Sequence, residues 1–263
     1  MAIIHHRTPA SAEELLSLNH AKHFFHNCDV YAVTPSGVQL GRYHRIAFDD
    51  RYFANLGNNN LLRLSPLFYK QFERYEYLLI YELDSLVFAE NLADFCSGEY
   101  DYIGAPWVRY ENGQPVCFSG VGNSGFSLRR VDACLKVLTS RVRNMTPFEY
   151  WRKIGINKMG WKKGLGLLGA GSKFFRYRND VNWFVDRYIY SPQRTWSPHE
   201  DKFWHYHAAR FHPQFSLATT AQAVAFSFEH APAFCFQANG NRLPLGCHAW
   251  FKHDEEFWRP YTL

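Results

Sequence analysis

Twelve residues, YLLIYELDSLVF at 77–88, limit what this chain can fold into more than any other stretch. The run from Leu78 to Tyr81 is apolar without alternation. That is the pattern of a strand buried on both faces, as found in parallel sheets covered by helices. It stops at two carboxylates, Glu82 and Asp84. The carboxyl ends of the strands in open α/β sheets border the ligand crevice, so both acids are expected at that rim. Acids spaced i, i+2 can reach one divalent cation where the strand loosens into a turn. A hard cation with open coordination positions would then hold a diphosphate. The competing role for Asp84 is a cap on the following turn or helix.

The pattern around this strand predicts an α/β fold with a mixed, mainly parallel sheet flanked by helices. Residues 2–6 read as a first strand, and Ser11 before Glu13 and Glu14 reads as a helix start. Leu15, Leu18, Ala21 and Phe25 then form an apolar stripe ending near Asn27. DVYAVT (29–34) and residues 45–48 read as strands. Residues 60–72 read as helical, with Leu61, Leu64, Phe68 and Phe72 on one face and Pro66 imposing a restart capped by Ser65. Residues 91–95 read as a short helix, 101–104 as a strand and 131–138 as a helix. VGNSGFSLRR (121–130) begins rich in glycine and ends as a strand. Residues 202–211 have helical spacing, and 223–228 read as β. Strands alternating with helices argue for βαβ units. No linker or repeat divides the 263 residues, so one domain is expected over 1–263.

Composition narrows the classes. At 47% hydrophobic the chain carries a full core, and its 18% aromatic content exceeds ordinary usage. Rings left over from a core often line sugar sites, because a CH-rich sugar face packs on them. No apolar stretch approaches the ~20 residues that span a bilayer, and MAIIHHRTP has no secretory h-region. The six cysteines are scattered with no CxxC pair, as expected of free thiols in a reducing cytoplasm. A net charge of +5 is modest and does not indicate nucleic acid. The charge is nonetheless uneven. Residues 152–178 hold many Lys and Arg, six glycines and no acid. We read a basic insert at about 151–183, able to touch anionic headgroups at the inner membrane face or a phosphate-bearing acceptor. A solvated loop is the plainer reading.

Six motifs stand in order: Phe68-Tyr69-x-x-Phe72, YLLIYELD (77–84), DYIGAPW (101–107), VGNSGFSLR (121–129), HEDKFW (199–204) and LPLGCHAW (243–250). Their order resembles the nucleotide-sugar transferases of the GT-A type. It is more similar still to a bacterial glycosyltransferase-like family known only as a domain of unknown function. The resemblance covers most of the chain, from about residue 11 to 258. It implies a Rossmann-like GT-A fold and transfer of a sugar from a UDP- or GDP-linked donor to a hydroxyl of a saccharide or lipid-linked saccharide, in surface-glycan assembly.

Each motif then has an implied role. GT-A enzymes hold a divalent metal, Mn²⁺ or Mg²⁺, with a D-x-D pair; here the pair is Glu82 and Asp84, and Glu at the first position departs from the pattern. Asp84 is therefore the stronger ligand, with Glu82 bound directly, through water or to ribose instead. A histidine near the C-terminus often completes the shell, which points to His248 in GCHAW. The metal would neutralise charge on the leaving diphosphate. HED resembles the acidic motif of inverting enzymes, with Asp201 as general base and Glu200 second; capping of the next helix is the structural alternative. Asn123, Ser124 and Gly125 are implied to meet the donor sugar or the acceptor, and Trp107 to offer an acceptor platform or else fill core. His6, Arg7, Thr34 and Asn60 are the candidates for the donor's base and ribose.

Other readings remain open at this level. The same fold could carry a nucleotidyltransferase or a nucleotide-sugar hydrolase. The chain could be a non-catalytic binding module for glycans or nucleotides. Thirteen histidines raise zinc hydrolysis, but no HExxH pattern supports it.

Overall fold

The computed structural model describes residues 1–9, 11–143, 146, 180–190 and 199–263. Most of the expected basic insert lies outside these residues; 180–183 open a helix. The first half runs β1 (Ala2–Ile4), α1 (Ala12–Phe24), β2 (Tyr31–Pro35), β3 (His44–Phe48), α2 (Leu56–Arg63), α3 (Pro66–Lys70) and β4 (Tyr77–Tyr81). Then come β5 (Leu86–Val87), α4 (Leu92–Cys96), β6 (Tyr102–Ile103), β7 (Pro106–Glu111), β8 (Gln114–Val121), β9 (Phe126–Arg130) and α5 (Val131–Leu138). The described remainder is α6 (Val181–Tyr190), α7 (Glu200–Phe211), α8 (Thr220–Phe226), β10 (Ser227–Phe228), α9 (Pro232–Ala238), β11 (Gly246–Cys247) and α10 (Glu255–Trp258).

Six strands form the main sheet in the order β3-β2-β1-β4-β9-β6. The pairs β3–β2, β2–β1 and β1–β4 are parallel, whereas β9 runs antiparallel to both β4 and β6. The expected mixed, mainly parallel α/β sheet is therefore present. Side-chain alternation divides its two faces. Ala2, Ile4, Leu78 and Ile80 join one core with Phe68, Phe72, Phe203 and Trp204. Ile3, Leu79 and Tyr81 join the other with Ala21, Phe25 and Phe226. Both faces are covered, which is why residues 78–81 show no polar alternation. A small second sheet, β10-β11-β5, carries its own core around Trp250 and Trp258.

Local chemistry sets the helix boundaries. Ser11 and Glu14 form a reciprocal capping box at α1. The Ser65 hydroxyl accepts from the Leu67 amide at 3.2 Å, and Pro66 occupies the first turn of α3. Two expectations fail. Leu15 faces solvent at 50% exposure, and Ser17 and His20 take the buried face of α1. Ser17 turns inward because Tyr81 is there: its hydroxyl donates to Tyr81 Oη at 2.9 Å. Residues 223–228, read as β, are mostly the helix α8; the Thr219–Gln222 capping box starts it and leaves two residues for β10. The β7–β8 hairpin was not anticipated. No helix among the described residues is long and apolar enough to cross a membrane.

Candidate functional site

The strand order changes direction at β1: β2 and β3 lie on one side of it, β4 on the other. The parallel strands thus open a crevice beyond their carboxyl ends, where open α/β sheets bind ligands. Two adjoining clefts occupy it. One, of about 740 Å³, is lined by residues 4–7 at the end of β1, by residues 53–56 and 59, and by Glu82 and Asp84. The other, of about 700 Å³, shares Glu82, Asp84 and Lys252 and extends past Asn123, Asp201 and Glu229 toward Trp107.

The two acids meet His248 between these clefts. Glu82 leaves β4 with its amide donating to Gly125 O at 2.8 Å, and Ser85 closes a turn by donating to Glu82 O at 3.0 Å. Antiparallel pairing of β5 with β11 then brings the chain after Cys247 alongside that turn. The Trp250 amide donates to Asp84 O at 3.2 Å and fixes the approach. His248 Nε2 lies 3.2 Å from Glu82 Oε2 and 3.1 Å from Asp84 Oδ1. Its Nδ1 lies 2.9 Å from Glu229 Oε1, so a carboxylate orients the ring from behind. Gly125 is required here: a Cβ would stand 2.1 Å from His248 Nε2 and 2.8 Å from Glu82 Oε2.

Charge is balanced without an added ion. Arg63, almost wholly buried, pairs with Glu82, and Lys252 Nζ lies 2.6 Å from Asp84 Oδ2. Burial would raise both carboxyl pKa values, but Arg63 and His248 hold Glu82 down to about 2, and His248 and Lys252 depress Asp84 further. Burial would lower His248, yet Asp84, Glu229 and Glu82 raise it well above its ordinary value. Nε2 thus stands between two carboxylate oxygens, and the ion pair with His248 is the one polar contact of the buried Asp84 Oδ1 among the described residues. Two carboxylate oxygens and one imidazole nitrogen, all within 4.8 Å of one another, suit a divalent ion that replaces the proton on Nε2.

Asp201 stands across the second cleft, in the first turn of α7. It accepts from the Asn123 amide at 3.0 Å and from its neighbour Lys202's amide at 2.9 Å. Burial first, and then Glu200, raise its pKa. Asn123 holds φ +69, its Oδ1 accepts from the Gly125 amide at 2.8 Å, and its buried Nδ2 has no partner in the fold. Ser124 accepts from Arg63. Trp107 lines the same cleft on β7, with its ring against His205 and Tyr206.

The remaining candidates divide. His6 and Arg7 line the first cleft, and Arg7 Nη2 is tied to Glu14 Oε1 at 2.7 Å. Asn60 lines the second cleft from within α2, not from a helix start; α2 begins at Leu56 under an Asn55 cap. Thr34 is sealed inside, donating to Val38 O at 2.9 Å, and borders neither cleft. Glu200 is fully buried against Arg129 at 2.6 Å, which also meets Tyr69, so its carboxylate has no face to the cleft. Arg63, Glu229 and Lys252 were missed by sequence reasoning, because a lone charge carries no signal until a fold gives it a partner.

By architecture this is a mixed α/β protein, and by site it is one with a carboxylate–imidazole cluster at the sheet's switch point. The chain belongs to the family described as "Protein of unknown function (DUF5672)", whose pattern matches residues 42–248. No curated protein matches it. Solved structures with a similar course of chain include glycosyltransferases. An active-site mutant of LgtC is 12% identical, with a TM-score of 0.49 over 94% of this chain and 86% of that one. A glycosyltransferase involved in glycosylation of the major capsid of PBCV-1 is 12% identical, with a TM-score of 0.44 over 94% and 92%. GlyE of Streptococcus pneumoniae TIGR4 is 13% identical, with a TM-score of 0.39 over 100% and 60%.

Proposed function

We propose that this protein is a metal-dependent glycosyltransferase that moves a sugar from a nucleotide-sugar donor to a hydroxyl of a saccharide or lipid-linked saccharide, in surface-glycan synthesis. One observation carries the reading: Glu82, Asp84 and His248, the last from far along the sequence, converge on one point at the switch of the sheet. Asp84, Glu82 and His248 would hold Mn²⁺ or Mg²⁺, which when bound supplies positive charge for the departing diphosphate. Glu229 fixes the imidazole so that Nε2 faces that point. Lys252 adds a further positive charge beside it.

The cleft past His6 and Arg7 suits the nucleoside of a UDP- or GDP-linked donor, and the cleft past Asn123 suits the sugar and the acceptor. The unpartnered Asn123 Nδ2 is a donor ready for a sugar hydroxyl. Asp201 acts as the base. Burial lifts its pKa toward that of the proton it must accept, and two backbone amides aim the carboxylate. Attack from that side, opposite the leaving group, inverts the anomeric centre.

Thermal shift with UDP and GDP, each with and without Mn²⁺, tests this. A ligand that binds only the native state raises Tm by mass action. Stabilisation by a nucleoside diphosphate that needs Mn²⁺, and that Asp84→Asn abolishes, is the expected result. Indifference to every nucleotide, or a shift that ignores the metal, overturns the reading.

A further inference from the structure

Glu229 links the site above to a second group of metal-ligating side chains. It follows β10 directly; His230 is the next residue and faces solvent, and His253 comes from the loop ahead of α10. The two imidazole rings lie with centroids 3.9 Å apart at an interplanar angle of 44°. One ligand atom from each of Glu229, His230 and His253 falls within 4.8 Å of the others. All three residues line the second cleft, so an ion could enter from solvent and keep a position open toward the cleft. The loop that presents His253 is tightly wound: Ala249 has φ +53 and Asp254 φ +62, and the His253 amide donates to Ala249 O at 3.1 Å.

We propose that Glu229, His230 and His253 form a second cation site, separate from Glu82, Asp84 and His248, that takes a borderline transition-metal ion of the zinc class. The donor sets differ in kind. Two imidazoles and one carboxylate favour zinc-like ions, whereas two carboxylates and one imidazole suit Mn²⁺ or Mg²⁺. Three protein ligands around such an ion leave a fourth position for water or an anionic group of a ligand in the cleft. Glu229 serves both groups, since its Oε1 already meets His248 Nδ1. Occupancy of the second site therefore bears on how firmly the His248 ring is held.

Zinc titration of the chelator-stripped, tag-free full chain by calorimetry tests this, with His230→Ala, His253→Ala, their double variant and Asp84→Asn alongside. The double variant should bind one zinc equivalent fewer than the unaltered chain, and each single variant should weaken that equivalent at least as much as loss of an outer-sphere partner does, roughly 10–100-fold. Asp84→Asn should keep it. Equal stoichiometry and affinity in the unaltered chain and the double variant overturn the proposal, as does the absence of zinc binding by unaltered chain whose near-UV circular dichroism shows it folded. Failure at Asp84 alone counts against the glycosyltransferase reading and leaves this site standing.

Discussion

Asp201 carries its charge against the preference of the fold, because burial first and then Glu200 raise its pKa. The sign follows directly. A carboxyl whose folded pKa is raised contributes stability below its unfolded pKa and loses that contribution as pH rises through the folded value. Asp201→Asn should therefore lower kcat by about 10²–10⁴-fold while Tm at pH 7 holds or rises. A fall in both activity and Tm would make the residue structural. Gly125→Ala puts a Cβ 2.1 Å from His248 Nε2; it should abolish the Mn²⁺-dependent nucleotide shift with the far-UV spectrum unchanged. The sequence exposed the residues whose neighbours are distinctive. Glu82 and Asp84 interrupt an apolar run, and His248 follows a glycine in a motif of its own. Glu229 offered nothing comparable, since its role depends on a ring 19 residues further on. Thr34 and Glu200 misled because polarity beside a strand end or helix start reads the same whether the side chain faces a cleft or seals the interior.

Among elements, those with strong local chemistry were legible: β4 from its unbroken burial, α3 from Ser65-Pro66, α5 from its apolar spacing. The β7–β8 hairpin was not. Register shifts between Trp107 and Val108 and between Arg109 and Tyr110 break the alternation of PWVRYENGQPVCFSG, although Asn112-Gly113, both at positive φ, make the turn. In α8 a capping box overrode the β-prone composition of residues 223–228. The hairpin sets the position of Trp107, and Gly122 lets the ring lie close: a Cβ there would stand 2.2 Å from its Nε1. Trp107→Ala should raise the acceptor KM while the nucleotide thermal shift stays as it was. Equal loss of both would make the ring a packing residue.

Over the whole molecule, the parallel order followed from alternation of elements, but the antiparallel β9 did not, because strand direction depends on the connection and not on composition. The pairing matters for charge. β9 brings Gly125 to Glu82, and β11 brings His248, so the acids stay ionised to lower pH in the folded chain than in the unfolded one. Glu82 falls from an ordinary 4.5 to about 2 on folding. Its contribution is complete above about pH 4.5 and is lost as pH falls through about 2. Asp84 acts in the same direction. Urea midpoints should therefore drop steeply over that interval, and Glu82→Gln should flatten the drop; an unchanged acid limb in the variant would remove Glu82 from the account.

His248 lies 166 residues beyond Glu82. At about 5–20 residues per second of synthesis, roughly ten to thirty seconds separate the two on the ribosome. Through that interval the emerging β4 edge has its acids but no imidazole opposite them. A half-made chain thus has Arg63 to pair with Glu82 but neither His248 nor Lys252 to pair with Asp84. The three-residue cluster is complete only once the final segment has docked against β5.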